Sequence, residues 1–148
     1  MVVSMRIGLL IVMVLLSIWI TYELYKGYLE ERLVQNLWKG LLAEAASDGY
    51  DGMYAVACVV RNRLVCGMND GLEGLKRKDL NEFVKKQPKY VQLKAKLIVR
   101  QVFEYKYQDT TCGAMHFVNV HNCSPDWIKW MKYCRTIGSH TFMKERTE

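Results

Sequence analysis

Apolar residues fall at positions 33, 34, 37, 38, 41, 42, 45 and 46. That is the spacing of one helical face, and it predicts a helix from Leu33 to Ala46. Ser47-Asp48-Gly49 supplies its stop. After Asp51-Gly52 the stretch "MYAVACVVRNRLV" is apolar on nearly every side. Its β-branched content allows a strand, but its length favours a second helix. "NDGLEGLKRKD" then reads as a loop, with Asp79 as the cap of a short helix reaching Phe83. Pro88 suits the first turn of a longer helix, "KYVQLKAKLIVRQVFEYKY".

The period changes in the last third of the chain. "AMHFVNV" alternates and predicts a strand. Ser124-Pro125-Asp126 has the chemistry of a helix start, leading into a helix with Trp127, Trp130 and Met131. "RTIGSHTFM" predicts a second strand. The sum is a mostly helical α+β domain of four helices with a short β-hairpin.

The N-terminus follows a different pattern. Sixteen residues from Ile7 to Tyr22 carry no charge. As a helix they span roughly 24 Å against a hydrocarbon layer of ~30 Å. Arg6 can snorkel on one side, and Trp19, Tyr22 and Tyr25 suit an interfacial belt on the other. The expectation is one transmembrane helix over residues 1–22, with a lipid bilayer as partner. A charged, Tyr-rich stalk follows over 23–36, and the main domain over 37–148. A cleaved signal peptide is the rival reading, but "SIWITYELY" lacks the small residues of a cleavage site. Arg6 and the amino terminus favour a single-pass orientation with a cytoplasmic N-terminus and an extracytoplasmic domain.

With 148 residues, the chain has room for one domain with a real core. Twenty-one basic side chains against 15 acidic ones give a net charge of +6, which suits an acidic polymer as partner. The basic residues do not interleave with aromatics in a stripe, so nucleic acid is not an expected partner. Five cysteines leave at least one thiol unpaired, and Cys112 with Cys123 is the first candidate for a bridge.

Three groups of residues could carry chemistry. Glu44 stands alone in the apolar run "GLLAEAA", a setting that keeps a carboxyl protonated by desolvation and fits it for general acid work on a glycosidic bond. On periodicity alone, the polar stripe of an amphipathic helix is the better explanation. Cys58 or Cys112 with His116, His121 or His140 would suit a thiol peptidase, although no cysteine opens a helix after a tight turn. Cys112, His116, His121 and Cys123 offer soft zinc ligands, but the C-x3-H-x4-H-x-C spacing is not that of a finger or ribbon. No metal is expected.

The stretch "WKGLLAEAASDGYDGMYAVACVVRNR" resembles the opening of the SleB-type cell wall hydrolases, the spore cortex-lytic enzyme family. "GAMHFVNV", "PDWIKWM" and "TIGSHTF" resemble later blocks of that family, in the same order. Ala43 stands where the family usually has Gly, and residues 66–109 match poorly. The resemblance implies a lysozyme-like or lytic-transglycosylase-like small domain that cleaves the glycan strand of peptidoglycan without a cofactor. It implies Glu44 as the single catalytic acid and base. Asp48 aligns with a second acidic position, and its alternative is a helix-end residue in solvent. Asn62 could bind sugar or tie a turn. His116 and Asn119 could line the groove while Phe117 faces the core. Trp127 could stack on a sugar, and His140 could contact substrate or sit buried in a hydrogen bond. Gly113 and Gly138 read as backbone requirements. The other readings are an anchored wall-binding scaffold without activity and an extracytoplasmic Cys–His peptidase.

Overall fold

A computed structural model describes residues 2–68 and 71–146, with side chains described from residue 11 onward except at 29 and 30. The chain divides into two compact units, Met1–Leu33 and Val34–Glu148. Helix α1 covers Val2–Ala45.

In the first unit, apolar side chains of α1 from Ile11 to Tyr28, among them Leu15, Trp19 and Tyr25, are exposed. The transmembrane helix expected over residues 1–22 is not supported. Among the described residues no helix is long and apolar enough to cross a membrane. The charge-free run falls short of the ~20 residues a span needs, and part of the expected span, residues 1–10, lies outside the described side chains.

The second unit is built around helix α2 (Gly49–Val65), in which every residue from Gly52 to Val60 is buried. A helix that is apolar all round belongs inside a domain. Ala55, Ala57 and Cys58 keep it slim enough for other elements to surround it. Leu37, Leu41 and Ala45 of α1, one turn apart, pack into the same core. Ala95, Ile98 and Val99 of helix α4 (Lys89–Val99) do so from another side. The long helix expected through Tyr107 becomes a π-helical turn at Arg100–Glu104, closed by the Tyr105 N–H donating to the Arg100 carbonyl at 3.0 Å.

Helix α3 (Leu80–Lys86) begins where Asp79 predicts. Asp79 makes no side-chain cap, however; its carboxylate binds Arg77 instead. Pro88 stands just before α4.

Three antiparallel strands close the domain in the order β1-β3-β2: β1 (His116–Asn119), β2 (Met131–Ile137) and β3 (His140–Glu145). The expected second strand is thus a hairpin, turned at Gly138-Ser139, where Gly138 has φ +60°. The helix expected after Pro125 is only a 3-10 turn, Asp126–Trp130. Trp130 is exposed, so no apolar face holds a longer helix down, and the β-prone "MKYCRTI" that follows joins the sheet. The Cys112–Cys123 bridge does not form, and all five cysteines are free.

Candidate functional site

Glu44 sits in the last turn of α1. Its neighbours Leu41, Leu42 and Ala45 turn inward and are buried, whereas Glu44 itself is only half-buried. The expected enclosure of this carboxyl by apolar residues is therefore not what the structure has. The apolar positions serve the core, and Glu44 forms the wall of a cleft of about 510 Å³.

The 3-10 turn Glu73–Lys76 adds to the wall beside it. The Gly74 N–H donates to Glu44 Oε1 at 2.5 Å. A Cβ at Gly74 would lie 2.8 Å from the Ala43 Cβ and 3.2 Å from the Glu44 Cγ. Only glycine lets this backbone come close enough to make the bond.

Phe117, Asn119, Cys123 and His140 complete the cleft from the sheet side, with Arg63 from α2. Arg63 Nε donates to the Met115 carbonyl at 2.7 Å, and its Nη1 donates to the Gly71 carbonyl at 3.1 Å. It thereby ties the sheet to the segment that leads into the Glu73 turn. Phe117 does not face the core as expected. It lines the cleft, its ring 5.4 Å from that of His140.

Asp48 is not in solvent. Its side chain is 6 % exposed and that of His140 is 7 % exposed. His140 Nδ1 lies 2.6 Å from Asp48 Oδ2. An ionised carboxylate can only accept, so Nδ1 carries the proton, and the tautomer of the ring is set. Ser139 donates its N–H to Oδ1 at 3.0 Å and its Oγ–H to Oδ2 at 3.1 Å. Burial alone would raise the Asp48 pKa. The hydrogen bonds from His140 and Ser139 outweigh it and hold the carboxyl below its ordinary value. Gly138 makes this approach possible, since a Cβ there would stand 2.5 Å from the Asp48 Cγ.

Asn119 is engaged on both ends of its amide. Nδ2 donates to Ser139 Oγ at 3.1 Å, and Oδ1 accepts from the His121 N–H at 3.1 Å. Asn62 lies away from the cleft and ties a turn: Nδ2 donates to Asp109 Oδ2 at 3.1 Å and to the Ala114 carbonyl at 3.0 Å. Burial pushes the Asp109 pKa up, but the hydrogen bonds from Thr111, Asn62 and Gly113 bring it below the ordinary carboxylate value.

His116 and Trp127 face each other with ring centroids 5.8 Å apart, outside the residues that line the cleft. Cys58 is wholly buried, and burial pushes its thiol pKa up, the opposite of what activates a nucleophile. Among the described residues, no group of three or more His, Cys, Asp or Glu is placed to hold a metal ion.

The structure thus brings Glu44, Asn119 and His140 into one cleft, sets Asp48 behind His140, and keeps Asn62, His116 and Trp127 apart. Sequence reasoning missed Glu73 and Arg63, and read Cys123 only as a bridge or zinc-ligand candidate. The glycines around Glu73 in "GLEGLK" were the available signal for a backbone that approaches another element.

A family model described as Cell Wall Hydrolase matches residues 47–143. The matched span begins just after Glu44, so the placement of Glu44 rests on the geometry above. Among solved structures, the chain is similar to the catalytic domain of the germination-specific lytic transglycosylase SleB of Bacillus anthracis. That match has 22% identity, covers 76% of this chain and 93% of that one, and has a TM-score of 0.55. It is likewise similar to the catalytic domain of the Bacillus cereus SleB protein, with 22% identity, 77% and 91% coverage and a TM-score of 0.56. At this identity the likeness is one of fold. A search of the curated proteins found no match. With the family model covering well over half of its length, the chain belongs to the Cell Wall Hydrolase family.

Proposed function

We propose that this protein cleaves the glycan strand of peptidoglycan, with Glu44 as the single general acid and base. The observation that carries the reading is the position of Glu44: half-buried, on the wall of a cleft, with one oxygen held by the Gly74 N–H. A carboxyl so held keeps its other oxygen for the substrate. It first protonates the glycosidic oxygen. The resulting carboxylate then takes a proton from the sugar's own 6-hydroxyl, closing a 1,6-anhydro ring, or from water.

His140 presents a ring of set tautomer to the cleft, and Asp48 acts through it as a positioning residue. Asn119 keeps one N–H and one lone pair for a sugar beyond the two bonds it already makes. Peptidoglycan lies outside the cytoplasm, so the domain is proposed to work there. The similar SleB catalytic domains, one of them that of a lytic transglycosylase, support the same substrate class.

Mass spectrometry of a peptidoglycan digest tests the reading. Sugar-linked fragments are expected. Fragments lighter by one water than hydrolysis products identify the anhydro route. New amino termini with intact glycan would replace this reading with a peptidase.

A further inference from the structure

A separate cavity of about 510 Å³ opens between α2, the π-helical turn and β2. Tyr50, Asp51 and Tyr54 of the first two turns of α2 line it, with Gln101 of the π-helical turn and Arg135 and Ile137 of β2. It shares no lining residue with the cleft at Glu44. We propose that this cavity binds the stem peptide of peptidoglycan, with Arg135 and the Gln101 amide on a peptide carboxylate and Asp51 on the ammonium group of a diamino acid. The proposal rests on the peptidoglycan reading above and extends it from the glycan strand to the peptides that the strand carries.

The polar groups that the fold leaves unclaimed there are the first argument. The Tyr50 hydroxyl donates to Gln101 Oε1 at 2.6 Å. That bond orients the amide, and its two N–H groups have no acceptor among the described residues. Arg135 makes one hydrogen bond, from Nη1 to the Thr110 carbonyl at 3.4 Å, which leaves most of its N–H donors open. Asp51 accepts no hydrogen bond and forms no ion pair among the described residues. A guanidinium and a carboxylate therefore line one cavity without pairing with each other. Each can meet the opposite charge of a single ligand.

Ligand chemistry is the second argument. A stem peptide carries carboxylates, an ammonium group on its diamino acid and the methyl groups of its alanines. The planar guanidinium of Arg135 matches a carboxylate with two parallel N–H groups. Ile137 and the ring of Tyr54, whose hydroxyl donates to the Gln108 carbonyl at 3.0 Å, give the methyl groups an apolar wall. The cavity is of ligand-pocket size. A glycan stripped of its peptides has no ammonium for Asp51, so the pair of opposite charges favours the peptide. Because the cavity stands apart from the Glu44 cleft, peptide and glycan can be held at once, and each contact raises the effective concentration for the other.

Calorimetric titration of the full chain with a soluble, N-acetylated stem peptide tests the site. Wild type and Glu44→Gln are expected to bind it alike, because Glu44 is not part of the cavity. Arg135→Ala is expected to bind about tenfold more weakly, one charge-assisted contact in magnitude. Acetylating the ammonium group of the diamino acid is expected to weaken binding to wild type and to change little in Asp51→Asn. Both substituted side chains are exposed, so both variants should fold. Absence of binding to wild type, or binding that ignores both substitutions, overturns the site. So does displacement of the peptide by glycan stripped of its peptides, which would mark a sugar site. Digestion gives a second readout. The ratio of the rate on intact peptidoglycan to the rate on the same material after amidase removal of its stems should fall in Arg135→Ala, and an equal loss on both overturns the proposal. A wild-type chain that binds the peptide yet cleaves no glycan would overturn the proposed function and leave this site standing.

Discussion

Two carboxylates stand one turn apart in "EAASD", and the fold treats them in opposite ways. Glu44 receives one backbone hydrogen bond and otherwise looks into the cleft. Asp48 receives three, from the Ser139 N–H, the Ser139 hydroxyl and the His140 ring, and is closed off from solvent. A carboxyl with an unclaimed oxygen can trade a proton with a substrate. A carboxyl whose oxygens are all engaged holds the fold together. Under the proposed function, identical chemistry and near-identical sequence position thus separate into reaction and architecture by the count of donors aimed at each group.

The largest expected effect breaks the structural half of this contrast. Asp48→Ala leaves His140 and Ser139 without their buried partner. A stability loss of about 3 kcal/mol is expected, or roughly a 10 °C lower thermal midpoint. Calorimetry checks it, and an unchanged midpoint would mean the pair contributes nothing.

Acid sharpens the same contrast. The folded-state pKa of Asp48 lies below its unfolded value, as does that of Asp109. Below their ordinary pKa near ~4 the unfolded chain therefore binds more protons than the folded one. Their contribution to stability is complete above that value and is lost as pH falls through the folded pKa. Urea midpoints measured from pH 7 down to pH 3 should drop at the acid end. The drop should be shallower in Asp48→Asn; an identical slope would remove Asp48 from the account.

A smaller effect is expected at Gly74→Ala. The added methyl meets Ala43 and the Glu44 side chain, so the turn shifts and the Glu44 hydrogen bond is lost. A digestion rate about tenfold lower is expected, corresponding to one hydrogen bond. Normal digestion would show that the bond does not orient the acid. The smallest effect belongs to Cys123→Ala. This thiol lines the cleft and is no part of the mechanism, so the rate should stay within about twofold, well inside what one lost hydrogen bond costs. A complete loss would favour the thiol peptidase.

Periodicity made α2, the second half of α1 and the edge strand β1 legible, because burial on one face or all round leaves a repeat in the sequence. It misjudged Asp126–Trp130, where capping residues promised a helix that no apolar face supports. The apolar company of Glu44 suggested a desolvated pocket where periodicity favoured a polar stripe; those neighbours serve the core and leave Glu44 at the cleft. The Asp48–His140 pair joins residues 92 apart in sequence, and no local pattern encodes such a meeting. The resemblance of "TIGSHTF" to a family block marked His140 without saying what it would touch. Glu73 and Cys123 reach the cleft from loops, whose paths the sequence does not record.

The central claim is that Glu44 supplies the proton for glycan cleavage, and the rate of peptidoglycan digestion by Glu44→Gln tests it most directly. Glutamine keeps the shape of the side chain and can still accept the Gly74 N–H, but it cannot give up a proton. The account predicts a fall of at least ~10²-fold, the lower end of what acid–base catalysis contributes, with the thermal midpoint preserved. A folded Glu44→Gln protein that digests peptidoglycan at the wild-type rate would contradict the account.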